Sequence, residues 1–430
     1  MRGTVIANNN KIRWGLSALF AVLLLFSTFH TAFSLIAFAL CCLTIFFCDR
    51  EFILCQMFFI MPMANIFKMA PGSQSFFTII LLLYVIFHLV LPRNATAIIV
   101  LFGVYIVIIQ LAMGEFDLFK TIKLVCNVLF LSSILNNQVK TRHREIFLSY
   151  IVGNVAASII GLMDSPVFKV ESFIGVEEFA SAELEVFVTR FTGLYPDPNY
   201  YSVGLIISLC LLVILYHRNE IKVFPALLLS GAIIYFLIIT YSKSAVIMLV
   251  VVLMFLIYAL AKKRKFVPII ILFFSAVAII VLAFSGQIPA LEVVVKRFLA
   301  SDTLDGMDIN RLTTGRSDIW LMYAKYLISN SKILLFGQGI GAGYYQHAPH
   351  STYIDFLYFL GIAGTALLLL SLLAISKQSR LVKANRNILN YSVVLCVIIM
   401  YVFLSELFFF DIPFHLFVAI TAMNLVDDKK

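Results

Sequence analysis

Apolar runs of about 16 to 25 residues follow one another from residue 14 to residue 426 with only short polar joints between them, each near the ~20 residues a helix needs to cross bilayer hydrocarbon. Fourteen such runs can be read: 14–29, 32–48, 51–67, 75–91, 95–113, 118–135, 145–163, 199–216, 223–240, 243–261, 266–285, 352–376, 389–409 and 412–426. The first two and the last two are each equally readable as one broken or re-entrant pair, so the expected count is 12 to 14. Hydrocarbon offers backbone amides no hydrogen-bond partner, so every run should be a helix. The pattern predicts an all-α polytopic membrane protein. One integral membrane domain spans 1–430, with outer insertions at 164–198 and 286–351.

Composition sharpens this. With 62% hydrophobic and 13% charged residues, a soluble globule has too little interior for the apolar surface. The net charge of +9 invites a nucleic-acid reading, yet the basic residues are scattered through short loops. They fall on one side: Arg2, Lys11, Arg13, Lys140, Arg142, Arg144, Arg218, Lys222, the run Lys262-Lys263-Arg264-Lys265, and Lys377, Arg380, Lys383 and Arg386. The positive-inside bias then puts both termini in the cytoplasm. The first run has a basic flank like a secretory signal but no small-residue cleavage site after it, so a retained helix is expected. All seven cysteines lie in or beside apolar runs without a CxxC pair, which argues against disulfides and metal sites.

Polar chemistry gathers in the two insertions. In 164–198, Glu177, Glu178, Glu183 and Glu185 precede Arg190; they read as the solvated face of a short surface helix and lack the close spacing of calcium ligands. In 286–351, amphipathic helices are expected at 290–299, around Lys296 and Arg297, and at 317–329, where Trp320, Tyr323, Lys325 and Tyr326 suit the headgroup zone. Gly337, Gly339, Gly341 and Gly343 lack a strand-to-helix context and a following GK[ST], so they read as a flexible turn bringing His350 near the arginines. Outside the cell there is no ATP, so synthesis there needs a substrate activated before export. A polyprenyl-diphosphate-linked sugar meets that need, and its diphosphate calls for guanidinium forks such as Arg190, Arg297, Arg311 and Arg316, with Lys243 beside them.

Arg190-Phe191-Thr192-Gly193 followed by Asp197-Pro198-Asn199-Tyr200-Tyr201-Ser202, then Thr240-Tyr241-Ser242-Lys243, Gly315-Arg316 with Trp320, Gly337-x-Gly339, His350-Ser351-x-Tyr353 and Gly361-x-x-Gly364, resemble the motifs of the bacterial O-antigen polymerase and O-antigen ligase superfamily. The resemblance covers roughly residues 190 to 370. It implies a GT-C-like, metal-independent glycosyltransferase without cofactor, in the bacterial inner membrane with its site facing the periplasm. The donor it implies is an undecaprenyl-diphosphate-linked glycan. By position, Arg190 and Arg316 would bind the diphosphate, Lys243 would assist, and His350 would be the catalytic histidine. Asp197 would orient acceptor hydroxyls, and Asn199, Tyr353 and Arg311 complete the expected substrate-binding set. Lys243 stands where the family usually has arginine, and Ser351 where ligases often have asparagine; the second departure favours polymerase over ligase.

Each residue has a plainer reading. Arg190 could pair with the preceding acids, Arg316 could be an exposed helix start beside Asp318, Lys243 could snorkel, His350 and Asn199 could cap helices, and His347 reads as solvated. Lys120 and Lys123 could meet a diphosphate or neutralise Glu115 and Asp117, the latter being favoured. Glu406, Asp411 and His415 form a second candidate for proton acceptance. The expected partners are the lipid-linked glycan as donor and acceptor and membrane lipid, with no nucleic acid; a chain-length regulator protein is left open. A glycan flippase or exporter is the rival of another class. It would be expected to show paired halves and charged residues at mid-membrane, and no internal repeat is visible.

Overall fold

The computed structural model describes residues 10–67, 75–91, 93–136, 143–163, 177–180, 187–195, 197–262, 264, 315–378, 388–404, 411–423 and 425. The expected span 266–285, the expected helix 290–299, Arg297, Arg311, Glu183, Glu185 and Glu406 lie outside them.

Helices dominate. The first two runs form separate helices, α1 (Asn10–Phe26) and α2 (Thr31–Phe47), which pack on each other. They part at 27–30, where His30 Nδ1 caps α2 by accepting from Ala32 N at 3.1 Å. α3 (Arg50–Ile60) is capped by Asp49 and runs into a 3-10 turn, Met61–Ile66, where Pro62 supplies no N–H to continue the α-helical ladder. α4 (Phe77–His88), α5 (Arg93–Met113), α6 (Leu118–Asn136) and α7 (His143–Leu162) follow, then α8 (Pro198–His217), α9 (Val223–Ile239) and α10 (Lys243–Lys262). After the second insertion come α11 (Arg316–Ser329), α12 (Ser331–Phe336), α13 (Thr352–Asp355), a π turn at Phe356–Leu360, α14 (Gly361–Gln378), α15 (Ile388–Val402) and α16 (Ile412–Met423). The last pair, like the first, consists of two helices packed together.

Among the described residues, five helical segments are long and apolar enough to cross a membrane: Ala95–Met113, Leu118–Leu135, His143–Leu162, Pro198–His217 and Thr352–Lys377. Seven shorter apolar helices accompany them. This is the build of a multi-pass membrane protein. Its outward faces agree, because Leu101, Ile108 and Leu111 on α5 and Phe224, Leu227 and Leu228 on α9 are exposed stripes that only lipid would cover at low cost. α8 is the central mast, buried along nearly its whole length and packed against α7, α9, α10 and α15. All seven cysteines are free thiols.

The acidic stretch corrects one expectation. Glu177–Ala180 (β1) and Phe187–Arg190 (β2) pair antiparallel, with Glu177 opposite Arg190, instead of forming a surface helix. Only Glu183-Leu184-Glu185-Val186 alternates with period two, and Phe187-Val188-Thr189 is rich in strand formers; both favour a hairpin.

Candidate functional site

Three helix ends meet around Arg190. Asp197 takes extended backbone angles and its carboxylate accepts from Asn199 N at 2.6 Å, while Pro198 fills the first helical position, so α8 starts sharply. Asn199 is thereby aimed sideways, and its Oδ1 accepts from Ser242 Oγ at 2.7 Å. Ser242 sits in the tight turn between α9 and α10, where Tyr241 has a left-handed φ of 47°. The chain leaving β2 docks on the same turn: Phe191 N donates to Ile239 O at 3.1 Å and Arg190 Nε donates to Thr240 O at 3.2 Å. Arg190 is buried, and Lys243 opens α10 three residues after Thr240. A cation at a helix start opposes the helix dipole.

A second group forms on the end of α15. Gly315, with φ of 80°, turns the chain into α11, and Arg316 Nη1 donates to Phe403 O at 3.1 Å. Trp320 packs against the Phe403 ring at a tilt of 42°, and its Nε1 donates to Pro349 O at 2.9 Å. Thr352 Oγ1 donates to Leu404 O at 2.5 Å. His350 lies between these two anchors, Pro349 and Thr352, and holds φ of 48°, a left-handed conformation costly for a residue with a Cβ. The cap of α13 is Ser351, so His350 is not that helix's cap.

The two groups are joined through α16. Asp411 precedes that helix, its carboxyl within hydrogen-bonding reach of the Tyr195 hydroxyl just ahead of α8. One turn on, His415 Nδ1 meets Tyr401 Oη at 2.7 Å near the end of α15. Asp411 and His415 are buried, and among the described residues Asp411 Oδ1 and His415 Nε2 have no hydrogen-bond partner. Arg190, Asn199 and Lys243 therefore share one end of the bundle with Arg316 and His350. Tyr353 is placed differently: its hydroxyl donates to Ile398 O at 2.9 Å, on the wall of an apolar cavity of about 170 Å³ between α6, α14, α15 and α16. Arg311 is outside the described residues. Lys120 Nζ lies 3.7 Å from Asp117 Oδ2, as the neutralising reading requires.

The glycine-rich stretch is docked, which corrects the expectation of a flexible turn. Gln338 N donates to Tyr358 O at 2.8 Å and Gly339 N to Phe359 O at 3.1 Å, so the π turn's carbonyls take the amides a phosphate loop would present. Tyr105 Oη ties both sides together through Phe336 O and Leu360 O. A Cβ on Gly337 would overlap the Phe359 carbonyl, and one on Gly341 the Glu115 carbonyl. Backbone so close to backbone leaves room for glycine alone.

Sequence reasoning missed Asp355. It is buried five residues after His350, facing Tyr323 and Tyr344. Burial, the neighbouring Tyr358 phenol and the Asp355 charge hold the Tyr323 phenol well above its ordinary value; burial and the same carboxylate do so for Tyr344. The available signal was an acid inside an apolar run. No family model, no curated protein and no solved structure matches the chain.

Proposed function

We propose that the chain is a surface-polysaccharide polymerase, a metal-independent glycosyltransferase of GT-C-like build with 12 to 14 spans in a bacterial inner membrane. Its termini are cytoplasmic and the arginine-bearing end faces the periplasm. What supports this reading is that Arg190, Lys243, Arg316 and His350, from separate parts of the chain, lie at or beside helix ends that Tyr195, Asp411, His415 and Tyr401 link. Arg190 and Arg316 each have a guanidinium nitrogen fixed by a backbone carbonyl, which orients the fork.

In this reading the arginines and Lys243 grip the diphosphate of an undecaprenyl-diphosphate-linked glycan. A sugar hydroxyl of the next lipid-linked repeat unit attacks the anomeric carbon, the carbon–oxygen bond to the diphosphate breaks, and the hydroxyl proton passes to His350. Fixed cations on the departing diphosphate supply the larger part of the acceleration, and general-base help adds typically ~10²–10⁴-fold. Both reactants are confined to the membrane, so orientation contributes as well. A chain-length regulator is the protein partner this reaction would call for.

The test is deletion of the protein, complementation with wild type, Arg316→Ala or His350→Ala, and separation of surface glycan by size. The proposal expects a single repeat unit on the core in the deletion and in both variants. Bare core with carrier-linked glycan would point instead to a ligase, and an unchanged ladder would overturn the enzyme reading.

A further inference from the structure

α11 carries a second feature besides Arg316. Asp318, Leu321, Met322, Lys325, Tyr326, Ser329 and Asn330 recur at spacings of three and four, so they form one face of the helix. That face is the floor of an open groove of about 730 Å³, walled by Tyr345. Twelve residues of helix make it roughly 18 Å long at 1.5 Å per residue. Tyr326 and Tyr345 stack with ring centroids 4.0 Å apart and planes 22° apart, while the opposite face of α11 is closed by buried Tyr323 and Leu327.

The lining decides the class of ligand. One acid and one lysine give no net charge, so the groove is not built for a phosphate or a nucleic acid. Carboxylate, ammonium, amide, hydroxyl and phenol groups make it too polar for an acyl chain. Aromatic rings beside hydrogen-bonding groups of both signs suit a polyhydroxy ligand whose rings present C–H faces between hydroxyl edges. The groove begins at Asp318, two residues from Arg316, and runs away from it along the helix.

We propose that this face of α11 is an oligosaccharide-binding groove that holds the sugar chain extending from the diphosphate site. The inference rests on the polymerase reading for the identity of that chain. Sugars beyond the reacting one lie along the helix, and their binding keeps the growing glycan on the enzyme between additions.

The test uses the full-length protein in nanodiscs. The probe is the oligosaccharide released by mild acid from the host's own lipid-linked repeats, with maltohexaose as a control, and binding is read by saturation-transfer NMR. Wild type should saturate the sugar ring protons of the host oligosaccharide. Tyr345→Ala, which removes the aromatic wall, should weaken binding about tenfold or more, and Lys325→Gln, on an exposed side chain, by several-fold. Arg218→Ala, which removes the bond to Glu220 after α8, should bind like wild type. No saturation in wild type, or equal saturation in wild type, Tyr345→Ala and Lys325→Gln, overturns the groove while leaving the polymerase reading intact. Groove binding with an unchanged glycan ladder in the deletion strain removes the polymerase reading alone.

Discussion

The two ends of α8 use charge in opposite ways. At its C-terminal end Arg218 Nε donates to Glu220 Oε1 at 2.7 Å, and His143 Nε2 lies 3.1 Å from both oxygens of the same carboxylate, tying the start of α7 to the loop after α8. At its N-terminal end Asn199 Oδ1 accepts from Ser242 Oγ and Arg190 Nε donates to the Thr240 carbonyl, with Glu177 opposite Arg190 in the β1–β2 pair. A carboxylate cancels an arginine; a carbonyl only aims it. The first arrangement fastens two segments together, and the second fixes the direction of a guanidinium at a helix start.

That contrast breaks most completely where the arginine-bearing end depends on backbone packing. Gly337→Ala forces a Cβ into the Phe359 carbonyl at φ of 81°, at a cost on the order of 3 kcal/mol or more. It should abolish glycan extension and lower the melting temperature in detergent, whereas alanine at Gly343, which has nothing near its Cβ, should do neither. Next in size is Arg316→Ala. Loss of a fixed donor to developing charge lowers turnover about 10²–10³-fold, seen as product formed per enzyme with a normal melting curve, while Arg218→Ala should change stability and leave turnover alone. An equal loss of turnover from both would erase the distinction between the ends.

Smaller effects sharpen it. Ser242→Ala removes the donor to buried Asn199 and should cost roughly 1–3 kcal/mol by thermal denaturation. Glu220 provides the pH signature of the other end. Burial alone would raise its carboxyl, but hydrogen bonds and charge from His143 and Arg218 hold it below the ordinary range. The folded value is depressed, so its stabilisation is present above the unfolded value of about 4.3 and is lost as pH falls through the folded one. Glu220→Gln should therefore flatten the acid limb of the melting-temperature profile and leave neutral-pH turnover unchanged.

Much of the site was legible because its residues are polar interruptions in an oily chain. Arg190, Lys243, Arg316 and His350 stand out by type and position, and Trp320, Tyr323 and Tyr326 marked α11 by their helical spacing. The β1–β2 hairpin was obscured by reading an alternating acidic pattern as a helix face. The role of the glycines was obscured because a flexible loop and a docked one share the same letters; only the Phe359 and Glu115 carbonyls distinguish them.

By itself the sequence determined that this is a helical membrane protein, because the thickness of hydrocarbon sets the length of each apolar run and forbids unpaired backbone within it. Tertiary structure alone decided which helices face lipid and which form the centre. α5 and α8 are comparably apolar, yet α5 is mostly exposed and α8 mostly buried, since a leucine against lipid and a leucine against protein satisfy the same hydropathy. It also decided that Tyr195, Asp411, His415 and Tyr401 link the two arginine-bearing groups and that Asp355 lies beneath His350's loop against Tyr323 and Tyr344. Those contacts join residues far apart in the chain, and no local pattern encodes a partner that distant.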